Sequence, residues 1–149
     1  MSGDSGLTQP LKPKLSAPEL SAFLAEVMPQ AGIGRRYKVE ETRHGFARVR
    51  MCFGDHMLRP GGTISGPSIF ALADMAMYAA VLASIGPAAL AVTTNLNINF
   101  LRKPGPRDML GEARLLKLGK RLAVGDIALY SDGETELAAH AAATYSLPG

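Results

Sequence analysis

Asp74 is the only charged residue between Arg59 and Arg102. It sits inside the most apolar stretch of the chain, residues 68–84 (SIFALADMAMYAAVLAS). An ionised carboxylate in such surroundings loses solvation, which is costly unless it is paired. Two roles fit it. It is either a structural group that caps a backbone or pairs with an Arg from another segment, or a general base or nucleophile facing a cleft. Ser65-Gly66-Pro67 opens the same stretch. The first amides of a helix lack internal partners and lie at the positive end of its dipole. Gly66 lets a ligand approach the backbone, and its N–H could polarise a carbonyl oxygen, worth about 3 kcal/mol for an oxyanion donor. An ordinary Gly/Pro helix entrance reads the same way locally. Eight residues of helix separate Gly66 from Asp74 by about 12 Å, so one helix cannot readily bring both to one reacting atom. A second copy, with its helix antiparallel, could bring its Asp74 to this Gly66. The spacing therefore predicts a site shared by two subunits.

Other polar groups are more scattered. Lys117, Lys120 and Arg121 cluster at one turn, and Arg102 and Lys103 at a strand end; each suits a solvated turn. His44, His56 and His140 lack metal-ligand spacing, and no metal site is expected. His140 alternates within a strand and reads as structural, while His56 precedes the loop before Ser65. Cys52, the single cysteine, reads as a packing residue and excludes an intrachain disulfide. Asn95, Asn97 and Asn99 line one strand face. Met75, Met77 and Tyr78 read as core and pocket wall.

The elements that must hold these groups follow from period and punctuation. The chain has 149 residues, enough for one domain with a real core. Hydrophobic residues at 47% and charged residues at 19% exclude a disordered tail. The formal net charge is only +3, with 6% aromatic residues and no Trp, so a nucleic-acid partner is not expected. No signal peptide is expected, and the Ala-rich apolar stretch, ended by Gly86-Pro87, reads as a buried helix rather than a membrane span. A cytoplasmic location is the default expectation. Residues 1–14 read as a flexible arm and 15–149 as one domain. Ser16 and Glu19 form a capping box for a short helix ending near Met28. Ala47, Val49, Met51 and Phe53 alternate as a half-buried strand after Gly45. A long helix spans 68–84. Strands follow: one with Val92, Thr94, Leu96, Ile98 and Phe100 on one face and Thr93, Asn95, Asn97 and Asn99 on the other, then about 108–118, 122–130 and 136–147. Asp132-Gly133 marks a tight hairpin. The predicted fold is α+β: an antiparallel, curved sheet of five or six strands wrapped around the long helix.

The stretch from Arg59 to Pro104, continuing through residues 111–114 and 118–124, resembles the hotdog-fold acyl-CoA thioesterases of the phenylacetate-pathway (PaaI-like) type. The family's His-Gly-Gly turn appears as Ser65-Gly66-Pro67. Its Leu-x-Asp appears as Leu72-Ala73-Asp74, and its Asn-Ile-x-Phe-Leu-x-Pro strand as residues 97–104. The resemblance implies hydrolysis of an acyl-CoA thioester. The Gly66 amide would bind the thioester carbonyl, and Asp74 would be the catalytic carboxylate, as base or nucleophile. Thr93 would orient the water, and Arg59 would stand where relatives carry an Asn near the thioester. Lys117, Lys120, Arg121 and Arg102 would meet the phosphates of coenzyme A. No cofactor is implied beyond the coenzyme A of the substrate, and the assembly implied is a homodimer that pairs into a homotetramer. Three residues depart from the pattern. Ser65 replaces the His, Pro67 replaces the second Gly and removes an amide donor, and Arg59 replaces the Asn. Arg59 could pair with Asp74 or stabilise developing negative charge. A non-catalytic acyl-CoA-binding module and a hydratase or dehydratase on the same fold are the alternative readings.

Overall fold

A computed structural model describes residues 11–148. Most of the expected arm, residues 1–10, lies outside the described residues. Within the rest of it, the Lys14 N–H donates to Ala83 O at 2.7 Å.

Helix α1 spans Ala17–Val27 with the capping box in place: Glu19 N–H donates to Ser16 Oγ, and Ser16 N–H donates to Glu19 Oε1. It buries Leu20 and Leu24. Strands β1 (Tyr37–Arg43) and β2 (Phe46–Met51) follow, joined at Gly45, whose φ of 79° selects glycine. A two-residue ladder of β3 (Leu58–Arg59) and β4 (Thr63–Ile64) leads into helix α2, Gly66–Ile85. Strands β5 (Val92–Phe100), β6 (Met109–Leu118), β7 (Leu122–Ser131) and β8 (Ala139–Ser146) complete the chain. The sharp hairpin expected at Asp132-Gly133 is a longer connection, so β8 begins three residues later than predicted.

The six long strands form one antiparallel sheet in the order β1-β2-β6-β7-β8-β5. Its inner face is paved with small residues, among them Gly111, Ala113, Gly125, Ala139, Ala141 and Ala143. Small residues let α2 lie close, and α2 answers with Ala73, Ala76, Ala79, Ala80 and Ala83, all fully buried. Among the described residues α2 alone is long and apolar enough to cross a membrane, and most of it is buried within the fold.

The expected wrapping of the sheet around the helix is not found. A sheet closes only when its outer strands pair. Here β1 bonds β2 and β5 bonds β8, and the two edges do not meet. The helix lies across one face of an open sheet, and Pro67, Phe70 and Ala71 in its first turns remain exposed.

On the opposite face Arg50 of β2 ties β1 to the connections just before β6 and just after β7. It reaches Glu40 at 2.6 Å, Asp132 at 2.9 Å and Asp108 at 3.2 Å. The hydrogen bond and charge of Arg50 hold the Asp132 carboxyl below its ordinary range. A carboxyl lowered in the folded state stabilises above its unfolded value, about pH 4, and that contribution fades as pH falls through the folded value. Arg50→Gln should therefore lower the melting temperature at pH 7 and have a shrinking effect as the pH drops towards 3. Melting curves across that range check it; a loss independent of pH would assign Arg50 a packing role instead.

Candidate active site

Asp74 lies two turns into α2, half-buried, and its carboxylate is met from two strands. Thr93 Oγ1–H donates to Oδ1 at 2.6 Å, and Tyr145 O–H donates to the same oxygen at 2.7 Å. The Tyr145 oxygen also lies 3.2 Å from the Asp74 carbonyl oxygen. These lengths are those of charge-assisted O–H···O⁻ bonds. Burial, and next the charge of Asp74, push the Tyr145 phenol far above its usual range, so it stays protonated and donates. Tyr145 stacks on Tyr78 with centroids 6.0 Å apart, and Tyr78 O–H donates to Ala89 O at 2.9 Å.

Strict alternation placed Thr93 on the face of the asparagines. The structure corrects this: a bulge between Thr93 and Asn95 turns Thr93 to the helix side, where it pairs with Tyr145. Asn95, Asn97 and Asn99 stay on the outer face, exposed, with Asn97 Nδ2 donating to Asn95 Oδ1 at 3.0 Å.

Asp74 opens into a cleft of about 660 Å³. Its walls are largely apolar, with Met28, Met75, Tyr78 and Leu90 among them, and Gln30, Arg36 and Tyr37 also line it. Burial raises the phenols of Tyr37 and Tyr78. Met77, by contrast, is core, packed against Gly125.

Gly66 lies elsewhere, in a second cleft of about 560 Å³ with Arg59, Phe100, Arg102 and Lys103. Ser65 is the N-cap of α2, its Oγ accepting from Ser68 N–H at 3.4 Å. Ile69 N–H donates to Ser65 O, and Pro67 has no N–H. Among the described residues the Gly66 N–H has no acceptor. The Ser-Gly-Pro-Ser entrance thus leaves one open amide at the positive end of α2.

The predicted site residues therefore fall into three groups. Asp74 and Thr93 come together. Gly66, Arg59 and Arg102 share the second cleft, with Ser65 and Pro67 at its helix entrance. Arg102 pairs with Glu136 at 2.7 Å, and Arg59 makes no ion pair with Asp74 among the described residues. Lys117, Lys120 and Arg121 are exposed at the β6–β7 turn and line neither cleft. That turn shares an end of the sheet with Thr93, since Ala123 pairs with Tyr145 and Tyr145 with Thr93. His140 bonds Asp126 at 3.0 Å on the outer face, His56 is exposed, and Cys52 is half-buried. Tyr145 was not foreseen. A signal existed: Ala139, Ala141, Ala143 and Tyr145 share the core face of the last strand, and a phenol there needs an acceptor.

The model of the Thioesterase superfamily matches residues 61–138, slightly more than half of the chain. The chain belongs to the thioesterase superfamily. A Saccharolobus solfataricus protein that carries the name of an esterase is 34% identical over 91% of this chain and 87% of its own length. Among solved structures, a Silicibacter protein named as a thioesterase is 48% identical, with a TM-score of 0.84 over 95% of this chain and 97% of its own. A mutant form of the phenylacetic acid degradation protein PaaI from Thermus thermophilus is 26% identical, with a TM-score of 0.66 over 75% of this chain and 93% of that one. The architecture is the hotdog α+β fold of PaaI-like members, and thioesterase-type hydrolysis is the activity of the family.

Proposed function

We propose that this chain hydrolyses acyl-CoA thioesters at a site completed by two subunits. Asp74 of one subunit acts on the thioester carbon, as base toward water or as nucleophile. The Gly66 amide of the other holds the carbonyl oxygen as it gains charge. Thr93 steadies Asp74, and a lone pair on its oxygen remains for water. Arg102 and Arg59 flank the Gly66 side, and Lys117, Lys120 and Arg121 stand at the other end of the sheet to meet the phosphates of coenzyme A.

One observation carries the reading: the single open amide and the carboxylate lie at opposite ends of the same unpaired edge. Among the described residues strand β5 bonds only β8, and its length runs from Thr93, beside Asp74, to Phe100, beside Gly66. Leu90, Val92, Phe100 and Leu101 along this edge are each more than half exposed. Two β5 edges pairing antiparallel cover these residues and set each Thr93 end against the partner's Phe100 end. Each Asp74 then approaches a Gly66 that its own helix keeps about 12 Å away. Such dimers pairing again give the tetramer that the family resemblance implies.

The test is thiol release from short, long and aromatic acyl-CoAs, followed by subunit mixing. Asp74→Asn and Gly66→Val homodimers should each be nearly inactive. Refolded together in equal amounts, they should recover about a quarter of wild-type activity, because half of the dimers are hybrids with one intact site of two. No recovery from mixtures shown to contain hybrids places both groups in one subunit's site. Binding of acyl-CoA without turnover by the wild type selects a non-catalytic binding module.

A further inference from the structure

The Asp74 carboxylate is held asymmetrically. Oδ1 accepts both short hydrogen bonds, from Thr93 and from Tyr145, and Oδ2 has no partner among the described residues. The terminal torsion of an aspartate is broad and two-fold, so its own preference does not select which oxygen faces a reacting atom. Two donors from two adjacent strands do. We infer that Tyr145 is a positioning residue for Asp74, pinning Oδ1 so that Oδ2 is the oxygen presented to the cleft. This rests on the thioesterase reading and deepens it.

The surroundings of Tyr145 fit such a role. Its side chain is only 3% exposed, on a strand paired on both sides, to Thr93 and to Ala123. The ring stacks on Tyr78, which is itself anchored through Ala89 O. The phenol is thus fixed before any substrate arrives, at no ordering cost during reaction. A hydroxyl has one proton, and this one is committed to Asp74. Tyr145 is therefore not an acid for the leaving thiol; it acts through the carboxylate.

Tyr145→Phe keeps the ring and deletes the donor. With a substrate that the wild type turns over, kcat should fall about tenfold or more while KM stays within about twofold, since orientation rather than binding is lost. Thr93→Val should do the same and Thr93→Ser should restore most of kcat. An unchanged kcat in Tyr145→Phe, or a raised KM at constant kcat, overturns the inference while Asp74 keeps its role. A wild type inactive on every acyl-CoA overturns the thioesterase reading and this inference together. Should Tyr145→Phe fail to fold, the wild-type hydroxyl proton of Tyr145 decides by NMR. It should appear far downfield and move when Asp74→Ala removes the acceptor; a resonance that does not move overturns the inference.

Discussion

Asp74→Asn should fold as the wild type does and lose about 10²- to 10⁴-fold in kcat for thiol release from acyl-CoA. The substitution is close to isosteric, and the two hydroxyls that meet Oδ1 still need an acceptor. The asparagine carbonyl oxygen fills that place. Its amide nitrogen then points where Oδ2 stood, presenting a donor to the cleft in place of a basic oxygen. What is lost is the capacity to take a proton or attack carbon, with packing preserved. Continuous detection of free thiol, with the melting temperature measured alongside, checks both halves. Equal rates in the two proteins would remove Asp74 from the chemistry.

Gly125→Ala should be the most damaging small change in the sheet. A Cβ at this position would stand 2.8 Å from the Arg114 carbonyl oxygen and 2.9 Å from Met77 Sδ. The methionine end can swing away, but the backbone oxygen belongs to the neighbouring strand and cannot. Overpacking of this kind costs about 1–3 kcal/mol, which for a chain of this length corresponds to a fall in melting temperature on the order of 5 °C. Gly105→Ala is the control, because a Cβ there meets open space. Thermal unfolding of both variants decides the matter. A Gly125→Ala protein that melts with the wild type would show that the sheet and α2 are less tightly opposed than described.

How far the sequence could be read depends on the range of the forces involved. Ser16 and Glu19 cap α1 through contacts three residues apart, and those were legible. So was α2, whose lack of a polar face demands burial, and so was Asp74, singled out by its isolation. Thr93 was placed on the wrong face, because one inserted residue at Thr94 reverses every side chain before it and leaves no mark in the alternation. Tyr145 meets Asp74 from 71 residues away, a distance no local pattern spans. The wrapped sheet was an inference from α2 and from the short turns that join the strands after it. A helix apolar all round needs cover on all sides, but the cover for its first turns does not come from this chain's sheet.

The walls of the Asp74 cleft have two origins. Asp74, Thr93 and Tyr145 stand on the central helix and on paired strands, where alanine and glycine leave no slack. Met28, Ala31, Ala89 and Leu90 stand on the connections after α1 and before β5. Connections of this kind accept substitution, insertion and deletion far more readily than the elements they join. If the proposed site is the reacting one, reaction and selectivity are inherited from separate parts of the chain. On the proposed reading, a lineage can retailor the acyl group it accepts by rewriting two surface loops, with Asp74 and its tyrosine left untouched.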